Sequence, residues 1–388
     1  MSDVRRVLFL TGTRADFGKL KPLIARVKDA PDFEYSIFAT GMHMLAKYGA
    51  TVTEIRRAGF DRVFSYINQD GAINSQMDLV LASTVTGLGL YVREFAPDLL
   101  VVHGDRVETL AGAIAGALNN VLVAHIEGGE VSGTIDELLR HSVSKLSHLH
   151  FVSNHEAYQR LVQMGETPDS IQIIGSPDID VMLSDDLPSI EAVRTRYDVP
   201  FEGYAIVLYH PVTSEHDLLR GHVAEVVEGL RRGGHPYVVV YPNNDTGSDV
   251  IVEALTAFQR TAGTSVRLIP SMRFEHFLTL LKHARAMIGN SSAGIREAPV
   301  YGVPTVNIGT RQMNRFRHAS IIDVPEDAAA IAAALHTLPE RLAPSHHFGT
   351  GDSAERFMAA LRSPAVWRTS RQKYFRDWRP AAQPEAVS

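Results

Sequence analysis

Leu99-Leu-Val-Val-His103 and Val121-Leu-Val-Ala-His125 are two short apolar runs, and an acidic turn that contains glycine closely follows each of them. Continuous apolar runs are typical of strands that are covered on both faces. The stretch Val107–Leu118 between them has the apolar spacing of a helix. This strand–helix–strand order predicts a parallel sheet with helices on both faces.

The same alternation extends along most of the chain. The predicted strands are Val7–Thr11, Tyr35–Ala39, Leu99–His103, Val121–His125, His150–Ser153 and Ile171–Ile174, and then Ala205–Tyr209, Tyr237–Tyr241, Val266–Ile269, Ala286–Gly289 and Thr305–Ile308. Residues 184–203, rich in Pro, Gly and Asp, interrupt the pattern and indicate a linker. We therefore predict an α/β fold with two doubly wound Rossmann-like domains, at 1–183 and 184–365, and an interdomain cleft.

The C-terminal tail has apolar residues at helical spacing. Phe357, Leu361, Trp367 and Phe375 are the candidate anchors of this tail. The pattern predicts a helical tail, with residues 366–388 as its last part, that packs back on the first domain.

Composition excludes several classes of protein. The 388 residues suit two domains, and the absence of cysteine excludes disulfides and thiolate metal sites. A net charge of −6 argues against a nucleic-acid surface. We find no stretch long and apolar enough to be a signal peptide or a membrane span, so we predict a cytoplasmic protein without a membrane or nucleic-acid partner.

The first loop, Thr11-Gly-Thr-Arg-Ala-Asp-Phe-Gly-Lys19, follows a strand and opens a helix. Such a position favours an anion. The loop is not a P-loop, because five residues separate its glycines and Leu20 stands where Ser or Thr would hold magnesium. A dinucleotide fingerprint is also absent, so no redox cofactor is predicted. Arg14 is either a ligand-binding residue or a solvated arginine of a plain turn.

Three carboxylates lie near the ends of predicted strands or at a helix start. Asp105 and Glu127 follow adjacent strands, and Asp136 begins the next helix. Carboxylates gathered at one edge can divide acid and base roles between them. The alternatives are helix capping for Asp105 and a plain helix-terminal acid for Asp136. Because no His-Glu-x-x-His pattern is present, we predict no metal.

The second half of the chain contains the candidates for nucleotide binding. His210 ends a strand, and Ile288-Gly-Asn-Ser-Ser-Ala-Gly-Ile-Arg-Glu297 has the pattern of a strand, a tight turn and a helix start. Ser291 and Ser292 could bind a phosphate there, and Glu297 could accept hydrogen bonds from ribose hydroxyls. Arg311 and Arg315 follow the next strand as candidates for a diphosphate, or as a surface pair of arginines.

Taken together, these clusters resemble the UDP-N-acetylglucosamine 2-epimerase family, which has the two-domain glycosyltransferase-B fold. The matching segments are Gly12-Thr-Arg, His103-Gly-Asp-Arg, His125-Ile-Glu-Gly-Gly-Glu, Ile135-Asp-Glu through Arg140-His, Lys145-Leu-Ser-His, Tyr241-Pro-Asn, Gly289-Asn-Ser-Ser-Ala-Gly and Gly309-Thr-Arg-Gln. They cover nearly the whole chain, and several motifs in order are more specific than any one of them. Asn314 departs from the pattern, since many members have glycine at this position.

The resemblance implies the hydrolysing branch, which releases UDP and the free 2-epimer. It implies catalytic roles for Asp105, Glu127, Asp136 and His210, and UDP-binding roles for Arg14, Ser291, Ser292, Gly294, Glu297 and Arg311. It also implies a UDP-sugar as partner, no cofactor, and a homodimer or homotetramer.

The chemistry agrees with this assignment. The hydrogen at C2 of the sugar is not next to a carbonyl, so an epimerisation without a redox cofactor needs a leaving group at C1. Loss of UDP with the C2 proton gives a glycal, and hydration then returns a proton from the other face.

Four alternatives stay open. They are the same reaction on a 2,4-diacetamido sugar nucleotide, a non-hydrolysing epimerase, an inverting glycosyltransferase, and a binding protein without catalysis. The three carboxylates argue against the last alternative, because binding an anionic ligand gains nothing from nearby negative charge.

Overall fold

The first part of the chain forms a parallel sheet with helices on both faces. The computed structural model describes residues 4–46, 49–69, 76–132, 135–242 and 247–377. The strands are β1 (Arg5–Thr11), β2 (Phe33–Ala39), β3 (Val63–Ser65), β4 (Leu99–His103), β5 (Leu122–Ile126), β6 (Leu149–Val152) and β7 (Ile171–Ile173), in the order β3-β2-β1-β4-β5-β6-β7. The helices are α1 (Arg14–Lys28), α2 (Val52–Arg57), α3 (Met77–Phe95), α4 (Val107–Leu118), α5 (Ile135–Leu146), α6 (His155–Gln163) and α7 (Pro177–Met182).

The second part of the chain repeats this architecture. Its strands are β8 (Ala205–Leu208), β9 (Tyr237–Val240), β10 (Val266–Ile269), β11 (Ala286–Gly289), β12 (Thr305–Ile308) and β13 (Ile321–Val324), in the order β10-β9-β8-β11-β12-β13. Its helices are α8 (Ile190–Tyr197), α9 (Leu219–Gly233), α10 (Ser248–Ala262), α11 (Phe274–His283) and α12 (Ala328–His336), and the tail adds α13 (Ser353–Arg362) and α14 (Pro364–Trp367). The predicted class, two parallel-sheet α/β domains, is confirmed.

Alternate residues of each buried strand enter cores on opposite faces of the first sheet. Phe9 and Val101 pack with α1 and α13, whereas Leu8, Leu100 and Val102 pack with α3, α4 and α5. Because both faces are covered, residues 7–10 of β1, residues 99–102 of β4 and most of β5 are buried and apolar. This explains the continuous apolar runs of the sequence.

Each sheet has one switch point, between two adjacent strands, on either side of which the strand order runs in opposite directions. In the first sheet β1 lies beside β4, and in the second sheet β8 lies beside β11. Crevices at the carboxyl ends of such strand pairs are the usual ligand sites of open α/β sheets. Side-chain contacts join the turns at one crevice to the second domain: Arg296 bonds Glu127, and Lys19 approaches Glu297.

The tail differs from its prediction. Phe357, Leu361 and Val366 enter the core of the first sheet. However, the prediction of a helix over 366–388 is wrong where the structure describes it, because α14 ends at Trp367 and residues 368–377 are not helical. Residues 378–388 lie outside the described residues. Side-chain contacts to Glu166, rather than helical hydrogen bonds, hold this part of the tail.

Two edge strands escape the periodicity analysis. β3 and β13 are each three or four residues long and only partly buried. An edge strand has one neighbour and needs no long apolar run, and the short, partly exposed β3 and β13 were missed. The other two edge strands, β7 and β10, were predicted from their apolar residues. Among the described residues, no helix is long and apolar enough to cross a membrane. The boundary after residue 183 stays a prediction.

Candidate active site

Glu127 takes part in the contact between the domains, and its backbone has an unusual conformation. It follows β5 with φ of 61°, in the left-handed region that a non-glycine residue rarely adopts. Its carboxylate accepts hydrogen bonds from Arg296 at 2.5 Å, from Ser176, and from His103 Nε2 at 3.2 Å. Burial alone would raise the pKa of Glu127, but Arg296, Lys19 and His103 together hold it well below its ordinary value.

Asp105 lies in the adjacent turn, after β4. Its carboxylate is paired with Arg140 of α5. Although burial opposes ionisation, the charges of Arg140 and Arg315 lower the pKa of Asp105. Asp105 does not occupy the N-cap of α4, which is Arg106. Helix capping therefore does not explain Asp105, and the structure leaves it as a charged group that faces the cleft.

Asp136 lies in the first turn of α5, the helix that also carries Arg140. One turn of helix separates the two residues, so α5 delivers both Asp136 and the partner of Asp105 to the same region. Residues 133 and 134, which precede the helix, lie outside the described residues.

In the second domain, Asn290 joins the ends of β8 and β11. Its side-chain oxygen accepts from the His210 N–H at 2.7 Å, and its amide donates to the His210 carbonyl at 2.8 Å. Arg311 and Gln312 both donate to the Asn290 carbonyl. Burial and the charge of Arg311 lower the pKa of His210 far below its ordinary value, so the imidazole is neutral at physiological pH.

Ser291, Ser292 and Gly294 form a tight turn, but an α-helix does not follow it. Two 3-10 turns, Ser292–Gly294 and Ala298–Tyr301, take its place. Pro299 lacks the N–H that a continuing helix needs. Gly294 is required for close packing, because a Cβ there would lie 2.6 Å from Thr305 Cγ2. The prediction of a helix start is therefore wrong, while the compact turn with its two serines stands.

Glu297 is buried against a lysine of the first domain. Lys19 Nζ lies 3.5 Å from Glu297 and 2.8 Å from Asp178 of α7. Burial raises the pKa of Glu297. Within the described residues Glu297 Oε2 is buried without a hydrogen-bond partner. A ligand hydroxyl would supply the donor that this oxygen lacks.

Arg14 links the two domains. Its guanidinium pairs with Glu54 at 2.9 Å and donates to Ser271 Oγ at 2.6 Å in the second domain. Arg14 is therefore neither a solvated arginine nor, in this arrangement, directed to the turn of Ser291.

A cavity of about 200 Å³ lies between the domains, beside Arg296, the partner of Glu127. Arg296 and Arg315 line it, and each has a buried Nε without a hydrogen-bond partner among the described residues. Phe316 and Phe348 form part of its apolar wall. Asn314, also in the lining, has φ of 62°, a conformation that glycine and asparagine adopt most readily. Asparagine is thus compatible with the backbone conformation of this position.

A second group of acidic and histidine side chains lies within the second domain. Ligand atoms of Glu215, His222 and Glu326 lie within 4.8 Å of one another. Thr310 donates to Glu215, and Tyr209 donates to Glu326. The prediction of no metal stays a prediction.

Several site residues were not predicted from the sequence. They are Asp16, Lys19, His103, Arg140, Ser176, Asp178 and Arg296. His103 and Arg140 stand inside the quoted motifs, so their position beside acidic residues was an available signal. Arg296 also stands inside a quoted segment, beside Glu297. Asp178 had no such signal, because its partner Lys19 is distant in sequence and comes from another element.

Comparison with known proteins shows the family of this chain. The family model of UDP-N-acetylglucosamine 2-epimerase matches residues 25–362. A UDP-N-acetylglucosamine 2-epimerase of Neisseria meningitidis serogroup B is 46% identical over 379 residues, which cover 96% of this chain and 99% of that protein. A UDP-N,N'-diacetylbacillosamine 2-epimerase (hydrolyzing) of Legionella pneumophila is 33% identical, with 93% and 96% covered.

The solved structures support the fold. The crystal structure of UDP-GlcNAc 2-epimerase from Neisseria meningitidis bound to UDP-GlcNAc has a TM-score of 0.78 at 17% identity, and it covers 92% of this chain and 99% of that one. Two facing α/β domains with carboxylates on one edge and a serine turn on the other define a protein of the glycosyltransferase-B fold. The chain belongs to the UDP-N-acetylglucosamine 2-epimerase family.

Proposed function

We propose that this protein is a hydrolysing UDP-N-acetylglucosamine 2-epimerase that produces UDP and N-acetylmannosamine for the synthesis of sialic-type acids. One observation carries the proposal. The ionised carboxylates of Asp105 and Glu127 follow adjacent strands at or beside the switch point of the first sheet. Arg296, which follows the turn of Ser291 and Ser292 at the switch point of the second sheet, reaches Glu127 from the second domain.

The second domain would bind the uridine diphosphate. Ser291, Ser292 and Arg311 offer donors to the diphosphate, with Gly294 allowing the close turn. Glu297 Oε2 has no hydrogen-bond donor among the described residues, so it could accept a hydrogen bond from a ribose hydroxyl. His210 is neutral, so it would contribute a hydrogen bond rather than a charge as the phosphate departs.

The carboxylates of the first domain would move the protons. One of them accepts the proton from C2, the electron pair of that C–H bond forms the C1=C2 double bond, and the C1–O bond breaks with its electrons going to UDP. Water then adds its oxygen to C1 of the glycal and gives up a proton, and C2 receives a proton on the opposite face. Asp105, Glu127 and Asp136 share these transfers.

The hydrolysing reaction has support from relatives. Besides the Legionella protein, a GDP/UDP-N,N'-diacetylbacillosamine 2-epimerase (hydrolyzing) of Campylobacter jejuni is 30% identical over 82% of the chain. These two names also favour a second candidate substrate, a UDP-linked 2,4-diacetamido-2,4,6-trideoxy sugar. Because the protein at 46% identity has N-acetylglucosamine in its name, that sugar is the first choice. A UDP-sugar bound by a homodimer or homotetramer in the cytoplasm completes the proposal.

The experiment is proton NMR of the purified protein with UDP-N-acetylglucosamine in deuterated water. We expect free UDP and N-acetylmannosamine that carries deuterium at C2. A UDP-linked product would replace the proposal by the non-hydrolysing reaction. Turnover of the diacetamido substrate alone would select the second candidate, and turnover only with an added acceptor would indicate a glycosyltransferase.

Variants test the role of Glu127. Glu127→Gln removes the charge and keeps the shape, and we expect kcat to fall by about 10²–10⁴-fold, the usual contribution of a general acid or base. Glu94→Gln is the matched control, since Glu94 is exposed near the C-terminal end of α3, at the opposite edge of the sheet. Full activity of Glu127→Gln would contradict the role.

A further inference from the structure

Asp16 and His103 form a buried pair behind Glu127. Asp16 lies in the first turn of α1, and His103 ends β4, so these residues come from the two sides of the first sheet's switch point. His103 Nδ1 lies 2.7 Å from Asp16 Oδ1, and His103 Nε2 lies 3.2 Å from Glu127 Oε2. The histidine therefore bridges two carboxylates.

The pair is held in place from several directions. The other oxygen of Asp16 accepts the Gly12 N–H at 3.0 Å, and the Asp16 N–H donates to Thr13 Oγ at 3.1 Å. The side chains of Asp16, His103 and Glu127 are only 12%, 9% and 6% exposed. Because both ring nitrogens of His103 face carboxylates, both must carry hydrogen for the two contacts to be hydrogen bonds.

We propose that Asp16 and His103 are positioning residues for the epimerase reaction: a protonated His103, oriented by Asp16, holds the Glu127 carboxylate ionised and aimed at the cleft. This assignment rests on the proposed function for its kinetic consequences. The geometry supports it independently, since a neutral imidazole could donate to only one of the two oxygens that face it, Asp16 Oδ1 or Glu127 Oε2.

The contacts of the other carboxylate oxygen, Glu127 Oε1, explain why Glu127 needs His103 as a partner. Arg296 and Ser176 both donate to Glu127 Oε1. Both of these residues come from elements that follow β7, and Arg296 belongs to the second domain. If the domains open and Arg296 withdraws, Ser176 and His103 are the hydrogen-bond donors that stay with Glu127, and of these two only His103 can carry a positive charge.

The electrostatics agree with the geometry. Burial alone would lower the pKa of His103, but its hydrogen bonds to Asp16 and Glu127 raise the pKa to about 9. The neighbouring His125, which faces no carboxylate and bonds a backbone carbonyl, has a pKa of about 3. The charged or titratable groups around the pair are Lys19 from α1, His43 from the turn after β2, Asp105 and Arg106 from the turn after β4, His125 and Glu127 from β5 and its turn, and Arg296.

The first experiment measures protonation without activity. Long-range ¹H–¹⁵N NMR of the histidine-labelled protein gives the pKa of each imidazole, and His103→Gln identifies the signals of His103. We expect a pKa near 9 for His103, and in Asp16→Asn a pKa at least one unit lower, because the stronger of its two acceptors has lost its charge. Titration of His103 at or below the ordinary 6.5 would overturn the proposal.

The second experiment is the pH dependence of kcat/KM. In His103→Gln the amide still reaches Glu127 but has no charge, so we expect the acidic limb to move to higher pH. At a pH below the pKa of Glu127, kcat/KM falls about tenfold for each unit by which that pKa rises. In Asp16→Asn, His103 loses its proton at a lower pH, so we expect the alkaline limb of kcat/KM to move to lower pH. KM for the UDP-sugar stays within about twofold, since the uridine contacts belong to the other domain.

The control is His235→Gln. His235 bonds the Leu335 carbonyl at the amino-terminal edge of the second sheet, far from the cleft. We expect His235→Gln to leave the acidic and alkaline limbs of the kcat/KM profile at the same pH as in the wild-type protein. Unchanged limbs in both Asp16→Asn and His103→Gln would overturn the assignment. If the wild-type protein turns over no UDP-sugar, the proposed function fails while the NMR titration still decides on the pair.

Discussion

Glu166 should stabilise the fold strongly although it lies outside the active site. Its side chain is 2% exposed and has three donors, and a fourth donor reaches its backbone carbonyl. Lys145 and Lys373 approach it at 2.8 and 2.5 Å, His150 lies at 3.0 Å, and the Arg376 guanidinium donates to its backbone carbonyl. Lys373 also donates to Ser144 and Ser147 carbonyls at the end of α5, the helix that carries Asp136. Glu166 thus joins the tail to a helix of the site.

The magnitude follows from the pKa of Glu166. Burial would raise this pKa, but the hydrogen bond and charge of His150, together with the two lysines, lower it to about 2 from an ordinary value of 4.5. At about 1.4 kcal/mol for each pKa unit, ionised Glu166 contributes about 3 kcal/mol to the free energy of unfolding. Since the folded pKa is depressed, this contribution is complete above pH 4.5 and disappears as the pH falls towards 2.

The perturbation is Glu166→Gln, which removes the charge and keeps the shape. We expect a loss of about 3 kcal/mol at pH 7 in urea unfolding, and a loss less than half as large at pH 3. Tryptophan fluorescence suits the assay, because Trp367 packs on Phe33 of the first domain and the other tryptophan, at 378, is also in the tail.

Glu355→Gln is the control for this measurement. Glu355 also joins the tail to the first domain, through Arg26, but it is 69% exposed, so its replacement should change the unfolding free energy by less than about 0.5 kcal/mol. A loss below about 1 kcal/mol for Glu166→Gln at pH 7, or a loss independent of pH, would refute the reasoning.

Two further predictions concern the cleft. Arg296→Met breaks a buried ion pair and leaves Glu127 with an incomplete set of donors. We therefore expect the free energy of unfolding to fall by about 3–5 kcal/mol in calorimetry, and the acidic limb of kcat/KM to move to higher pH. An unchanged unfolding temperature would contradict the pairing. Asn314→Gly should keep the stability, whereas Asn314→Val should lower it by about 1–2 kcal/mol in thermal unfolding, because a β-branched residue resists φ of 62°. Equal stability of these two variants would argue against that backbone conformation.

The apolar runs of the sequence predict most of this fold because the sheets are buried on both faces. A strand such as β4 has no solvent-facing side, so its composition alone identifies it. Where that condition fails, so does the prediction: β3 and β13 are edge strands, and the tail beyond Trp367 is held by single side-chain contacts. A helix was expected after Ser291 although Pro299, which lacks the N–H that a continuing helix needs, was a local signal against it.

The sequence by itself determined where Asp105, Glu127, His210 and Ser291 lie, because residues that directly follow parallel strands gather at one edge of a sheet whatever the rest of the chain does. Only the tertiary structure decided what these residues contact. Arg296 reaches Glu127 across 169 positions, and Asp16 reaches His103 across 87. Periodicity reports which face of an element is buried, whereas a charged pair across a cleft depends on how two domains meet, and no local pattern records that distance.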